Sequence, residues 1–360
     1  MAKRQIFYLP LTFVITGLLV GVAPAGAQSS PGGACPTPGA VETLGSGQIV
    51  CIALNGSQTW QPYSGGGGGA PGAPPGSPTS GSSAAGPKKI KLYKPYGTAL
   101  SQETFGSTTK QVADVTGVRL KNGTIRLYAF VKGMGIRSAV STDKTGSEFT
   151  AEPGMRSIQE FWGQPRAVSL SDGRLRLFYL SGGAIKSAIS DDGLTFSEEA
   201  GSRITTEQAG FEPGAITVVP VAGGGYRGYF SDLERPGVIA DHKIVTATSP
   251  DMLTWTIGPT VVGEGSVGLV SAGGKHPFAL TESKGKVRLF YQADVPGSEP
   301  ELLTSVSDDG LKFKSERALG IPRGGDPDIV KLNKKKSLLF YGDEIDPTNG
   351  FGIKEAKSIG

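Results

Sequence analysis

Gln164-Pro165-Arg166-Ala167-Val168-Ser169-Leu170 leads through Asp172-Gly173 into Arg174-Leu175-Arg176-Leu177-Phe178-Tyr179. Ala184-Ile185-Lys186-Ser187-Ala188-Ile189-Ser190 follows, and then Asp191-Asp192-Gly193-Leu194-Thr195-Phe196. Apolar and polar residues alternate within each run, and Gly-bearing turns separate the runs. That pattern is antiparallel strands joined by hairpins. The second strand recurs as Arg126-Leu127-Tyr128, Arg227-Gly228-Tyr229, Arg288-Leu289-Phe290-Tyr291 and Leu338-Leu339-Phe340-Tyr341. The closing turn recurs as Ser249-Pro250-Asp251-Met252-Leu253-Thr254-Trp255 and Ser307-Asp308-Asp309-Gly310-Leu311-Lys312-Phe313, with a looser copy over Ser141–Phe149. All-β units of about 50 residues repeated around a ring make a propeller. Five units are visible, so the expected fold is a five-bladed β-propeller of four-stranded antiparallel blades over 88–360, with almost no helix. The fifth unit ends at Ser358 after three strands. Ser101-Gln102-Glu103-Thr104-Phe105 reads as a degenerate copy of its missing piece, so an N-terminal strand is expected to complete the last blade and close the ring, leaving no free edge.

The chain in front of the repeats has a different composition. Lys3 and Arg4, the apolar run Ile6–Ala23 and the small residues Ala25-Gly26-Ala27 have the order of a secretory signal peptide over 1–27, against a retained membrane anchor. Cys35 and Cys51, the two cysteines of the chain, then lie where disulfides persist, and 28–63 is expected to be a small disulfide-stapled module. Residues 64–87 contain only Gly, Pro, Ser, Ala, Thr and a closing Pro, too little apolar surface to order, so they form a flexible linker. The expected location is secreted, extracellular or cell-surface, in a bacterium, with no membrane contact after cleavage. Of 360 residues, 36 are Lys or Arg and 32 are Asp or Glu; this balance lacks the concentrated basic footprint of nucleic-acid binding. Two histidines exclude a multi-His zinc site.

The informative column is the residue opening each innermost strand. Twelve residues before the second-strand Arg, or its equivalent, stand Asp114, Gln164, His276 and Asp326. On blade 3 a longer hairpin and the string Glu212-Pro213 place Glu212 in that column. Pro165, Pro213, Pro277 and Pro327 follow, fixing φ where the chain turns toward the axis. Arg166 and Asp328, two residues on, share the strand face by its period of two. Trp162 and Phe211, just ahead of blades 2 and 3, could stack on a sugar ring or plug the gaps between blades. Polar groups at an axis can simply satisfy each other or water. Two carboxylates across a funnel can instead act as acid and base. An inverting glycosidase sets them roughly 6.5–9.5 Å apart.

On these repeats and this column, 88–360 resembles the five-bladed propeller glycosidases, the superfamily of glycoside hydrolase families 43, 32, 62 and 68. In family 43, the resemblance implies, Asp114 is the general base and Glu212 the general acid. It also implies a pKa-tuning Asp on blade 2, where this chain has Gln164 with Arg166 nearby. A His near the axis of some members accompanies a bound ion, which His276 matches loosely; calcium or another cation there is a possible but not required cofactor. The Ser-x-Asp-Gly-x-x-Phe turns resemble the Asp boxes of sialidases, yet the arginine triad and the Phe-Arg-Ile-Pro motif are missing. The funnel-face loops carry Asp232, Glu234, Asp241, Asp294, Glu299, Glu301, Asp343, Glu344 and Asp346 against Arg235, which favours neutral ligands over anions. The expectation is a monomeric carbohydrate-active propeller acting on neutral glycans, with a non-catalytic glycan- or ligand-binding propeller as the alternative.

Overall fold

The structure is a computed structural model that describes residues 41–44, 47–54, 57–63, 87–108, 111–156, 163–233, 242–263, 269, 273–293, 300–343 and 352–359. Cys35, Trp162 and the signal and linker segments lie outside the described residues. The chain divides into two compact units, Met1–Gly81 and Ser82–Gly360. In the first, β1 (Val41–Leu44), β2 (Gly47–Leu54) and β3 (Ser57–Tyr63) form an antiparallel meander whose register pairs Cys51 with Trp60.

The second unit is a five-bladed propeller. Blade 1 contains β5 (Val112–Arg119), β6 (Ile125–Val131), β7 (Gly135–Ser141) and β8 (Phe149–Ala151). Blade 2 contains β9 (Gly163–Ser169), β10 (Leu175–Ser181), β11 (Ala184–Ser190) and an outer edge split into β12 (Ser197–Glu198) and β13 (Ile204–Thr205). Blade 3 contains β14 (Pro213–Pro220), β15 (Tyr226–Asp232), β16 (Ile244–Ser249) and β17 (Thr256–Val262). Blade 4 contains β18 (Lys275–Thr281), β19 (Val287–Ala293), β20 (Glu301–Ser307) and β21 (Phe313–Pro322). Blade 5 contains β22 (Gly324–Lys331), β23 (Ser337–Asp343), β24 (Ile353–Ser358) and β4 (Tyr93–Leu100), the N-terminal strand that closes the ring. Innermost strands contact in the cycle β5, β9, β14, β18, β22 and back to β5. The closing strand precedes Ser101–Phe105 rather than containing it: Glu103–Phe105 is a single 3-10 turn. The one α-helical turn described is α1 (Thr206–Ala209), held by a capping box between Thr205 and Gln208.

Each seam between blades is filled by its own apolar cluster. Tyr128, Leu177 and Phe196 lie between blades 1 and 2, and Phe178, Phe230 and Trp255 between blades 2 and 3. Tyr229, Leu289 and Phe313 fill the next seam, Phe290, Ile329 and Leu339 the fourth, and Leu100, Leu127 and Phe340 the closing one. Burying one such side chain contributes about 1.5–3 kcal/mol, so the ring is held by its seams as much as by its sheets.

The Ser-x-Asp turns work as local staples and as handles for the preceding blade. Ser190 Oγ accepts from Gly193 N–H (2.8 Å), and Asp192 Oδ1 accepts from the N–H groups of Leu194 (2.7 Å) and Thr195 (2.8 Å). Ser249 with Asp251 and Ser307 with Asp309 repeat the arrangement. These backbone donors hold the carboxyls of Asp192 and Asp309 down to about 2. Each turn aromatic then meets an aromatic of the previous blade edge to face: Phe196 on Tyr128 (5.8 Å), Trp255 on Phe178 (6.3 Å) and Phe313 on Tyr229 (5.8 Å). The second-strand Arg and Tyr seen in the sequence repeat grip the same turns. Arg126 Nη1 donates to Asp192 O (2.8 Å) and Tyr128 Oη to Gly193 O (2.8 Å), while Arg176 Nη1 donates to Asp251 O (3.1 Å). A Cβ at Gly193, where φ is +70°, would stand 2.6 Å from Arg126 Nη1, so the close grip needs glycine there.

Candidate functional site

A β-bulge at the head of each innermost strand sets the residues that face the axis. In β5 two residues, Asp114 and Val115, stand between the pairs Ala113↔Phe130 and Thr116↔Tyr128. The same irregularity recurs at Gln164, His276 and Asp326. These four non-glycine residues take left-handed φ angles of 56°, 48°, 50° and 47°. Such a backbone costs on the order of 1 kcal/mol each and persists only where the surroundings impose it. The following proline, in three of the four, disfavours the ordinary helical alternative at the preceding residue.

Blade 3 departs from the sequence expectation. Its bulge falls at Gly214 and Ala215, opposite Ser231. Aligning Tyr229 with Tyr128, both of which donate to the next turn, makes Ala215 the counterpart of Asp114. Twelve residues before Arg227 is likewise Ala215, so the simple count holds and the Glu-Pro string misleads. Glu212 lies three residues earlier, exposed, with its carbonyl accepting from Leu233 N–H (2.7 Å). The axial column therefore has four polar members and no acid on blade 3.

The ring is a relay from one blade to the next. Axis-facing N–H groups of an innermost strand have no neighbouring strand, so side chains of the preceding blade meet them. Asp114 Oδ2 accepts from Gln164 N–H (3.4 Å), and Gln164 Oε1 accepts from Ala215 N–H (2.6 Å). Ala215 cannot continue the chain, and Ser231 Oγ takes over by accepting from His276 N–H (3.3 Å). His276 Nδ1 then lies 2.6 Å from Asp326 Oδ1. One layer deeper, Thr116 Oγ1 accepts from Ala167 N–H (3.0 Å) and Thr217 Oγ1 from Ala279 N–H (3.1 Å). Asp328 closes this layer, its Oδ1 accepting from Gly117 N–H (3.3 Å) and its Oδ2 from the Thr116 hydroxyl (2.9 Å).

The electrostatics separate these acids. Burial, with the charge of Asp326 added, pushes Asp114 up to about 7. Asp326 is buried too, but His276 more than offsets that cost and holds it below the usual carboxylate range. His276 is in turn raised: burial opposes its charge, and Asp326 outweighs burial. Burial pushes Asp328 up to about 6 despite Arg166 and the Thr116 bond. Near neutral pH one axial carboxyl thus keeps much of its proton while its neighbour stays ionised.

The remaining expected residues are placed as follows. Arg166 is 3% exposed, with Nη1 donating to Val115 O (2.6 Å). Phe211 stacks on Phe230 (5.9 Å) and carries the Lys243 ammonium 4.5 Å from its ring centre, so it plugs the seam between blades 2 and 3 rather than offering a face to a sugar. Among the described residues no cluster of three or more His, Cys, Asp or Glu could hold a metal ion. Sequence reading missed Ser231, Thr116 and Thr217, whose roles arise only between blades. It also missed the pair His242 Nδ1 and Asp232 Oδ1, 2.9 Å apart on the funnel side of blade 3. The signal for that pair was the scarcity of histidine: there are two in the chain, and each faces an aspartate.

In sequence the chain matches no family model and no curated protein at a significant level. In structure it is similar to an endo-1,4-β-xylanase from Bacteroides thetaiotaomicron, at 14% identity over 73% of this chain and 96% of that one, with a TM-score of 0.55. An endo-arabinase from the same organism gives 16% identity, 74% and 97% coverage and a TM-score of 0.53. An α-L-arabinofuranosidase from Podospora anserina, solved with cellotriose, gives 10% identity, 76% and 98% coverage and a TM-score of 0.54. The chain shares the five-bladed propeller fold of these glycoside hydrolases.

Proposed function

We propose that this chain is an exported carbohydrate-binding propeller, and that its ligand is a neutral glycan held in the funnel above Asp114 and Gln164. The observation that carries this reading is the half-buried state of those two residues. In an otherwise closed ring they are the column members still reaching solvent, on a fold shared with enzymes of polysaccharides. Asp114 and the amide of Gln164 supply the paired acceptor and donor groups that sugar hydroxyls need. The excess of acidic residues in the sequence between the second and third strands of blades 3 to 5 disfavours anionic sugars. Binding is preferred to hydrolysis because blade 3 presents Ala215 where a general acid would stand, and because Glu212 lies outside the column.

One observation favours a second reading, inverting hydrolysis. Asp114, pushed up to about 7, and Asp326, held low, are a protonated and an ionised carboxyl at one axis. That reading replaces the base-and-acid assignment of Asp114 and Glu212 with Asp114 as the acid.

The full chain, run through gels containing plant or microbial neutral polysaccharides, separates the two. Retardation by at least one polysaccharide without sugar release, weakened about tenfold in Asp114→Asn, is the expected result; loss of one hydrogen bond of about 1.5 kcal/mol is of that size. Sugar release that disappears in Asp114→Asn and in Asp326→Asn would establish hydrolysis instead. No retardation and no release on any polysaccharide would overturn the carbohydrate reading.

A further inference from the structure

Each blade is an antiparallel meander, so the five hairpins joining first to second strands lie together at the end of the ring opposite the funnel. Their charge is unequal. Blade 4 turns through Lys284 and Lys286, blade 5 through Lys331 and Lys334-Lys335-Lys336, and blade 1 through Arg119 and Lys121. Over residues 281–286, 331–336 and 119–124 that is eight cations against one acid, Glu282, which Arg288 holds. The other two hairpins have no net charge: Asp172 pairs with Arg174 (2.9 Å) on blade 2, and residues 221–225 on blade 3 include no ionisable side chain. Contacts join the three basic hairpins into one surface. Lys331 Nζ donates to Thr281 O of blade 4 (3.2 Å), and Arg119 Nη1 of blade 1 donates to Leu332 O of blade 5.

The fold does not need most of these lysines. The blade 5 turn is closed by Asn333, whose Oδ1 accepts from Lys335 N–H (2.8 Å) and Lys336 N–H (2.9 Å), while the three lysine side chains are exposed. Asn122 closes the blade 1 turn in the same way, accepting from Thr124 N–H (3.0 Å), and Lys121 stays in solvent. Among the described residues Lys121, Lys284, Lys334, Lys335 and Lys336 have no ion pair. Acids on the neighbouring outer turns are engaged elsewhere. Asp308 is held between Lys286 (2.7 Å) and Lys314 (2.6 Å), and Asp143 accepts from the N–H groups of Thr145 (3.0 Å) and Gly146 (2.9 Å). Like charges gathered on adjacent tight turns repel one another, a cost that an anionic ligand would relieve.

The make-up of the face narrows the partner. Its unpaired cations are lysines, compact point charges that suit phosphate oxygens and lack the fork with which Arg takes a carboxylate two-pronged. The large exposed apolar side chains among the described residues, Tyr96, Met155, Leu311 and Ile359, all lie outside these hairpins. The face therefore offers no such side chain to insert into a bilayer or to stack on a base. An arc over three consecutive blades also suits a chain that bends along it better than a stiff duplex. We infer that the hairpin face of blades 4, 5 and 1 binds a flexible phosphodiester polymer without bases, of the polyol-phosphate class, through Lys284, Lys331, Lys334, Lys335, Lys336 and Lys121. The site is at the opposite end of the ring from the glycan funnel and does not depend on the carbohydrate reading.

The test titrates the full chain with polyglycerol phosphate by calorimetry. Saturable binding is expected, with affinity falling about 50-fold from about 50 to 200 mM salt, the slope for neutralising about four phosphates of a flexible chain. The triple variant Lys334→Gln/Lys335→Gln/Lys336→Gln, which keeps Asn333, should bind at least about tenfold more weakly at the lower salt and reduce the slope by about 2. Lys334→Arg/Lys335→Arg/Lys336→Arg, with the charge restored, should bind as the unsubstituted chain does. Lys284→Gln and Lys121→Gln, on the flanking hairpins, should each weaken binding severalfold. At matched charge concentration polygalacturonate, duplex DNA and phosphatidylglycerol vesicles should bind more weakly than polyglycerol phosphate. The salt dependence and the ranking of polymers are read on the unsubstituted chain, so they stand whether or not a variant folds. No saturable binding of polyglycerol phosphate, a slope near zero, undiminished binding in the Gln triple, no effect on either flanking hairpin, or equal binding of any of the other three anions would each overturn the inference.

Discussion

The outer turns and the axis use the same few residue types in opposite ways. At the outer seams Arg126 and Arg176 are fully engaged, each held by a carboxylate and a carbonyl and serving the grip of one blade on the next. At the axis the buried Arg166 donates to one carbonyl, with its Nε and Nη2 unbonded among the described residues, Asp114 keeps its proton to about 7, and four backbones are held in left-handed conformations. A saturated polar cluster holds the fold together, whereas an unsaturated and strained one is where a ligand has something to gain.

The largest expected effect breaks the saturated side. Arg126→Met removes the partner of Glu152, whose side chain is 14% exposed, and releases the turn of blade 2; a loss of about 3–5 kcal/mol is expected in urea unfolding. A loss below about 1 kcal/mol would mean that the clamp is not what holds that seam. Next is the pH response of the axis. The Asp328 carboxyl ordinarily titrates near 3.8 and here near 6, so the folded state holds its proton more tightly than the unfolded one. Its contribution is complete below about pH 3.8 and is lost as pH rises through 6, a change of about 3 kcal/mol. Asp328→Asn should remove that part of the decline between pH 4 and 7 in thermal unfolding; an unchanged slope would show that burial does not raise the group. Smaller still, Asp192→Ala deletes a turn staple on an exposed carboxyl, and a cap of this kind contributes about 1 kcal/mol. Its effect should be greater than that of Asp172→Ala, where the carboxylate caps one backbone N–H and pairs with an exposed Arg174. Reversal of that order would place the stability of the ring outside its repeated turns.

Much of this could be read from the chain before any coordinates. The Arg-x-Tyr strands and Ser-x-Asp turns predicted five blades, and the short fifth unit predicted that an N-terminal strand would close the ring, as β4 does on β24. The turn side chains bond their own backbone, which is local chemistry and therefore visible in local sequence. The site was less legible. Asp114, Gln164, His276 and Asp326 stand at one column of bulges, as counting placed them. Glu212 falls outside the column because the longer hairpin expected on blade 3 does not move the bulge from Gly214 and Ala215, and a bulge has no strong sequence signature. The sequence leaves Phe211 open between stacking on a ligand and plugging a seam, because nothing in the string reveals that Phe230 and Lys243 cover it.

By itself the sequence determined the repeat, the number of blades, the turn chemistry and the closure, because each follows from period-two patterning and from contacts a few residues apart. It took the assembled ring to settle which N–H groups each blade hands to the next, that Ser231 stands in for Ala215, and that Arg166 is buried among Asp114, Asp326 and Asp328. Those facts depend on atoms 45 to 51 residues apart in the chain meeting at one axis, and a residue's own neighbours cannot encode whether a distant partner arrives.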